Sequence, residues 1–286
     1  DIFINIGILK NNIFKKVTRS DLIAGFLGQT AIKTKTVIEE CLGGVLFIDE
    51  VYSLGNNNKS DSFNDNLLGY SLDTKGSEYY TIYIRDINNK KLVTEKIEET
   101  SGGITFSLDD KYIFYSKLDK NHRPRKIYRH KIGTDTKNDQ LIFEEKSEAF
   151  TVGIDLSSDD KYFFITTSDH NTSEQYYFAA NEKDPQPKLI MKRNKGILYS
   201  INSWDKKFYN HTNENAEDFK IDVSDNLEKQ NWKPFIAAKE EVLIGGLTFL
   251  NNWVIRSETS DALDKLFVKN IKTGIEEELI FSDENV

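Results

Sequence analysis

Residues 106–115 read Phe-Ser-Leu-Asp-Asp-Lys-Tyr-Ile-Phe-Tyr, an acidic turn that runs into an unbroken aromatic and β-branched stretch. Asp and Asn favour tight turns by bonding their own backbone, and β-branched or aromatic runs bounded by such turns read as strands. The phrase returns as Leu-Ser-Ser-Asp-Asp-Lys-Tyr-Phe-Phe-Ile over 156–165 and as Asn-Ser-Trp-Asp-Lys-Lys-Phe-Tyr-Asn-His over 202–211. An earlier copy, FNDNLLGY, turns at Asp65, and a degenerate later one, FLNNWVIRS, turns near Asn251. The markers Asp65, Asp110, Asp160 and Asp205 stand 45, 50 and 45 residues apart, and Asn251 follows about 46 residues on. Each unit orders itself as a strand, an acidic turn, a second strand and two shorter strands. In the second unit these fall at Gly103–Ser107, Tyr112–Lys117, Lys126–Lys131 and Gln140–Glu144. Four strands per ~45 residues is the size of a propeller blade. A sandwich or barrel needs no such period, and a β-helix repeats at much shorter intervals. The fold class expected is therefore mainly β, a partial β-propeller of about five four-stranded blades.

The recurrent Asp-Asp-Lys turns do not make calcium sites, because such sites need more converging oxygens than one turn supplies. Composition narrows the rest. Eighteen Phe and thirteen Tyr among 286 residues exclude a disordered chain. No run of 18 apolar residues exists, so no helical membrane span is expected. The chain opens DIFINIGILK, with neither an initiator Met nor a secretory leader, and is expected to be a cytoplasmic fragment. A single cysteine, Cys41, excludes an internal disulfide and a multi-cysteine zinc site, and reads as a small buried hydrophobe on a helix. The net charge of −8 argues against nucleic acid as a partner.

The charge is not shared evenly. Residues 1–60 carry seven Lys/Arg and six Asp/Glu, whereas the remainder carries 31 and 40. The polar stretch Gly55–Asp65 marks the boundary, giving expected domains at 1–60 and 64–286. Before it the pattern is α/β. Thr30–Leu42 reads as a helix stopped by Gly43-Gly44, and Val45-Leu46-Phe47-Ile48 as a parallel strand buried on both faces.

Four ordered blocks carry a resemblance over the second region: YSLDTKGSEYYTIYIRDI (Tyr70–Ile87), TSGGITFSLDDKYIFYSKLD (Thr100–Asp119), RPRKIYRHKIGT (Arg123–Thr134) and VGIDLSSDDKYFFITTSDHNTSE (Val152–Glu174). They resemble the propeller of the oligopeptidase B branch of the prolyl oligopeptidase family. The resemblance implies a seven-bladed propeller capping an α/β-hydrolase that cleaves short peptides after basic residues. It also implies a Ser-His-Asp triad whose Ser sits on a Gly-x-Ser-x-Gly elbow. No such pentapeptide occurs here. The nearest string, Gly69-Tyr70-Ser71-Leu72-Asp73, lacks the second glycine and reads as strand. His122, His130, His170 and His211 lie in turns or polar strands, where surface or hydrogen-bonding roles are expected. No residue is assigned to peptidase catalysis.

The first region resembles a different family. VTRSDLIAGFLGQTAIKT (Val17–Thr34) and GGVLFIDEVYSL (Gly43–Leu54) are similar to the red-type Rubisco activase and sporulation-protein-K-like group of AAA+ ATPases. The resemblance makes this a small α/β fragment of a P-loop-type ATPase and the second string a Walker B strand. Asp49 would then hold Mg²⁺ through water, and Glu50 would orient the attacking water, a vestigial catalytic role. The Gly-x4-Gly-Lys-Ser/Thr loop that cradles phosphates is absent from the sequence. No cofactor is therefore expected, ATP and Mg²⁺ entering only if a longer parent supplies that loop. The leading reading is a non-catalytic, substrate-gating propeller portion fused to an incomplete AAA+ segment. The alternatives are a piece of a longer active serine endopeptidase cleaving after Arg or Lys, and an AAA+ remodelling protein with a fused propeller. Expected partners are peptides through the parent peptidase, with neither nucleic acid nor membrane, and self-association through exposed blade edges.

Overall fold

The computed structural model describes residues 10–11, 13–17, 36–42, 45–48, 67–93 and 96–280. The chain divides into two compact units, Asp1–Asp61 with Leu266–Val286, and Ser62–Lys265.

In the first unit, β1 (Phe14–Val17) pairs in parallel with β2 (Val45–Ile48), from Phe14 opposite Val45 to Val17 opposite Ile48. The continuous apolar run at Val45–Ile48 thus forms the parallel strand its composition predicts. A helix occupies 36–40 within the expected Thr30–Leu42 span. It buries Val37, and Cys41 is buried just after it. Lys15 of β1 forms an ion pair with Glu40.

From the second repeat on, the expected strand order is followed. In the first, whose turn marker Asp65 lies outside the described residues, the described strands are β3 (Leu67–Leu72), in the place of the strand after the turn, β4 (Tyr80–Asp86), β5 (Lys91–Leu92) and β6 (Ile97–Thr100). The second contains β7 (Thr105–Phe106), β8 (Tyr112–Leu118), β9 (Pro124–Lys131) and β10 (Gln140–Glu144). The third runs through β11 (Thr151–Leu156), β12 (Tyr162–Ser168), β13 (Ser173–Ala179) and β14 (Lys188–Met191). The fourth runs through β15 (Tyr199–Trp204), β16 (Lys207–Thr212), β17 (Lys220–Ser224) and β18 (Lys233–Ile236). The last has β19 (Leu243–Leu250), β20 (Trp253–Ser260), β21 (Leu263–Asn270) and β22 (Glu276–Leu279). The third, fourth and fifth are four-stranded sheets whose strands lie side by side in chain order.

The first two repeats are joined instead into one eight-stranded sheet, because β6 pairs with both β4 and β8. Its end is pinned to both sides: Thr100 Oγ1 donates to Tyr80 O (2.9 Å) and Ser101 N to Ser116 O (3.1 Å). Gly69 permits the close approach. A Cβ there would stand 3.0 Å from the Phe106 ring and 3.2 Å from Ile104.

The turn residues explain the repeat. Asp110, Asp160, Asp205 and Asn251 all have positive φ, between 47° and 58°. Asp and Asn tolerate this left-handed region better than other non-glycine residues. In two repeats the turn is duplicated bond for bond. Ser107 N donates to Tyr112 O (2.9 Å) and Ser157 N to Tyr162 O (2.8 Å); Asp110 N and Asp160 N each reach the serine carbonyl at 3.0 Å. Each serine hydroxyl accepts from the tyrosine N–H at 3.0 Å.

In the second, third and fourth repeats the strand after the turn is buried on both faces, and successive residues serve different neighbours. Ile113 and Tyr115 pack with Ile82, Ile84 and Ile97 of the first repeat. Phe114 turns the other way, joining Phe163, Ile165 and Phe178 of the third. Phe164 joins Tyr199, Ile201 and Phe208 of the fourth. The cores therefore lie between sheets, as stacked blades require.

Candidate functional site

Asp49 and Glu50 lie outside the described residues. Ser71 sits inside β3, paired with Ile82 of β4, so it occupies a regular strand and not a strained elbow. The four histidines are scattered. His122 is exposed in the β8–β9 turn, where its φ is +58° and its ring lies 4.1 Å from Tyr79. His170 is exposed in the β12–β13 turn. His211 is half-buried with Nε2 2.7 Å from Ile244 O, and burial holds its imidazole below the usual pKa. His130 is fully buried, Nδ1 2.7 Å from Asp139 Oδ1, while the other carboxylate oxygen accepts from Tyr115 OH at 2.8 Å. Burial, then the Asp139 charge, pushes the Tyr115 phenol far above its ordinary range. Tyr115 and Asp139 also line a cleft of about 390 Å³ with Lys96, Glu99, Lys117 and Lys137.

The turns joining the second and third strands bring two of these histidines together with charge. Asp119 Oδ1 accepts from the N–H groups of Asn121 (2.8 Å) and Arg123 (3.0 Å), and Asp169 Oδ1 from those of Asn171 (2.9 Å) and Thr172 (2.7 Å). Such side-chain-to-backbone bonds fix a turn locally. The paired turns flank a cleft of about 470 Å³ lined by His122, Arg123, Glu148, Asp169 and His170. It presents both signs of charge and several hydrogen-bonding groups. Among the described residues no His/Cys/Asp/Glu group is arranged to hold a metal ion.

A buried ionic cluster shares this junction. Arg193 Nη2 donates to Glu145 Oε2 (2.7 Å) and Glu174 Oε1 (2.9 Å), and Arg193 N to Glu174 Oε2 (2.8 Å). Thr167 donates to Glu145 (2.5 Å) and Tyr176 to Glu174 (2.8 Å). The guanidinium lies 4.1 Å over the Phe150 ring. Burial alone would raise both carboxyl pKa values. For Glu145 it is outweighed by the bonds from Thr167, Ser147 and Arg193, and for Glu174 chiefly by those from Arg193, so both are held below the usual range. None of Glu145, Glu174 or Arg193 stands out in the sequence, since their partners lie 19 to 48 residues away.

The comparisons with known proteins agree with this architecture. The family described as the prolyl oligopeptidase N-terminal β-propeller domain matches residues 49–284. Protease 2 of Moraxella lacunata is 30% identical over 156 residues, 54% of this chain and 23% of that protein. The structure of oligopeptidase B from Leishmania major aligns with a TM-score of 0.71 at 20% identity, over 77% of this chain and 32% of that one. The chain thus spans about a third or less of these relatives. A CfxQ homologue of Trieres chinensis is 48% identical over 54 residues, 19% of each chain, and this short N-terminal likeness fits an AAA+ fragment. With four-strand repeats packed face to face and the family matched across 49–284, the chain belongs to the prolyl oligopeptidase N-terminal β-propeller family.

Proposed function

We propose that this chain is the substrate-gating propeller portion of an oligopeptidase-B-like serine peptidase. It screens short peptides from folded proteins, while a hydrolase portion elsewhere in a longer protein supplies the Ser-His-Asp chemistry. The observation that carries this is the propeller match over 49–284 in a sequence without a Gly-x-Ser-x-Gly elbow. An amide whose nucleophile is missing keeps essentially its full barrier. The 286-residue chain should not turn over a fluorogenic Arg-Arg peptide. Turnover above blank together with serine-specific labelling would overturn this reading. The net charge of −8 and the absence, among the described residues, of any helix long and apolar enough to cross a membrane support a cytoplasmic setting without nucleic acid.

The N-terminal likeness favours a second reading for residues 1–60 only. Asp49 and Glu50 would serve Mg²⁺ and water in a nucleotide site whose phosphate loop this sequence does not carry. Calorimetry with Mg-ATP should give millimolar affinity at best. Micromolar binding that vanishes in Asp49→Ala would restore an ATPase role.

A further inference from the structure

The fourth repeat carries a cleft of about 730 Å³ at the end of its sheet where β15 turns into β16 and β17 connects to β18. Lys207, Lys229 and Lys233 line it, with Asp225 as the one acidic residue of its wall. That excess runs against the surrounding charge. Residues 61–286 carry 31 Lys/Arg and 40 Asp/Glu, and the cleft beside Tyr115 sets Lys96, Lys117 and Lys137 against Glu98, Glu99 and Asp139. The three lysines are not neutralised locally either. Lys111 and Lys161 precede the aromatic residue of their turns as Lys207 precedes Phe208, and each is held by the aspartate two residues before it, at 3.1 and 3.5 Å. Lys207 also follows an aspartate by two, but the fourth turn is built differently. Trp204 pairs with Lys207 across a two-residue loop, so Asp205 and Lys206 both take positive φ (48° and 64°), a conformation that Asp109 and Asp159 do not adopt. Lys207, Lys229 and Lys233 form no ion pair with any described residue. The wall residue Trp232 keeps a buried indole N–H with no acceptor among the described residues, whereas buried donors are normally paired.

We propose that this cleft binds a compact polyphosphate anion. Lysine serves phosphate as a point charge. Three of them, drawn from a turn, a loop and a strand, suit several closely spaced negative charges better than one carboxylate, and a small turn of the Trp232 ring would give its N–H an acceptor on the same anion. The third and fifth repeats pack on either side of this sheet, so further repeats before the first or after the fifth leave the cleft as it is. The antiparallel strand order also puts it at the end of the sheet opposite to that where the chain enters β15 and leaves β18. The proposal stands independently of any gating role.

Calorimetric titration of inorganic tripolyphosphate into the 286-residue chain, without divalent metal and at low ionic strength, tests it. Saturable one-to-one binding is expected, weakening as salt screens the lysines. Lys207→Gln/Lys233→Gln should weaken it at least tenfold. Lys111→Gln/Lys161→Gln removes the same charge from lysines already paired and should leave the affinity unchanged. Asp49→Ala should also leave it unchanged, which separates this cleft from any nucleotide site in residues 1–60. All four lysines are exposed, so circular dichroism should show an unchanged fold in both double variants. No saturable binding by the parent chain, full binding by the Lys207/Lys233 variant, an equal loss in the Lys111/Lys161 variant, or a loss in Asp49→Ala would each overturn the proposal.

Discussion

Where the second repeat meets the third, Phe114, Phe163 and Phe178 form an apolar centre, with Phe163 4.6 Å from Phe114 and 5.1 Å from Phe178. The charged cluster of Glu145, Glu174 and Arg193 closes one end of it. Where the third meets the fourth, Phe164, Ile201 and Phe208 fill the equivalent space, but the end of that junction beside Tyr199 is closed by neutral groups. Ser173 Oγ donates to Tyr199 O (2.7 Å), Tyr199 OH accepts from Gln175 N (2.8 Å), and Gln175 Oε1 accepts from Ile201 N (2.6 Å). The shared apolar layer sets how repeats stack. The polar residues at its edge decide how that stacking answers to pH, and the two junctions should therefore separate in acid.

Arg193→Met should have the largest effect. It leaves Glu145 and Glu174, 4% and 5% exposed, without their shared cation, and breaking a buried ion pair from one side costs about 3–5 kcal/mol. Urea melts at pH 7 measure it. The sign with pH follows from the depressed carboxyl pKa values. Their stabilisation is complete above the unfolded value, about 4.3, and is lost as pH falls through the folded values below it. The gap between Arg193→Met and the parent chain should consequently shrink from pH 7 toward pH 3. A gap that stays constant would mean the cluster contributes packing and not charge.

Gln175→Leu should cost less, about 1–3 kcal/mol, because Ile201 N loses its acceptor inside the neutral junction. Nothing in that set titrates between pH 3 and 8; burial pushes the Tyr199 phenol up to about 12. Its cost should be flat over the range in which that of Arg193→Met declines. A parallel decline in both variants would erase the distinction between the junctions.

What could be read beforehand follows the range of the interaction. Second-repeat strands expected at Tyr112–Lys117 and Gln140–Glu144 form at Tyr112–Leu118 and Gln140–Glu144, because strand runs and turn residues are local signals. The fusion of the first two sheets was not legible, since it depends on β6 pairing with β4 on one side and with β8 of the next repeat on the other. His130 is a sharper case. A histidine in a polar strand gave no sign that it would be fully buried against Asp139 and so come into line with Tyr115. The junction charges were equally silent, because Glu145 and Glu174 look like surface residues until Arg193 closes over them.

The smallest effect concerns the turns, which the two neighbouring repeats share. Asp160 holds φ +58° between Asp159 and Lys161. Asp159 acts through its side chain instead, its carboxylate accepting from Ser157 Oγ (2.9 Å) and, across the junction, from Ser203 Oγ (2.9 Å). If Asp160 is selected for its backbone alone, Asp160→Gly should leave stability within about 0.5 kcal/mol of the parent, glycine adopting the left-handed region freely. Asp160→Val should lose about 1–2 kcal/mol, since a β-branched side chain meets the carbonyl oxygen that this region brings close. Asp159→Asn should behave differently, keeping its amide oxygen as an acceptor but losing the charge that Lys161 faces at 3.5 Å. Thermal melts of the three variants at pH 7 decide between these roles. A cost for Asp160→Gly equal to that for Asp160→Val would show that the Asp160 carboxylate itself, and not the backbone it tolerates, makes the repeat marker acidic.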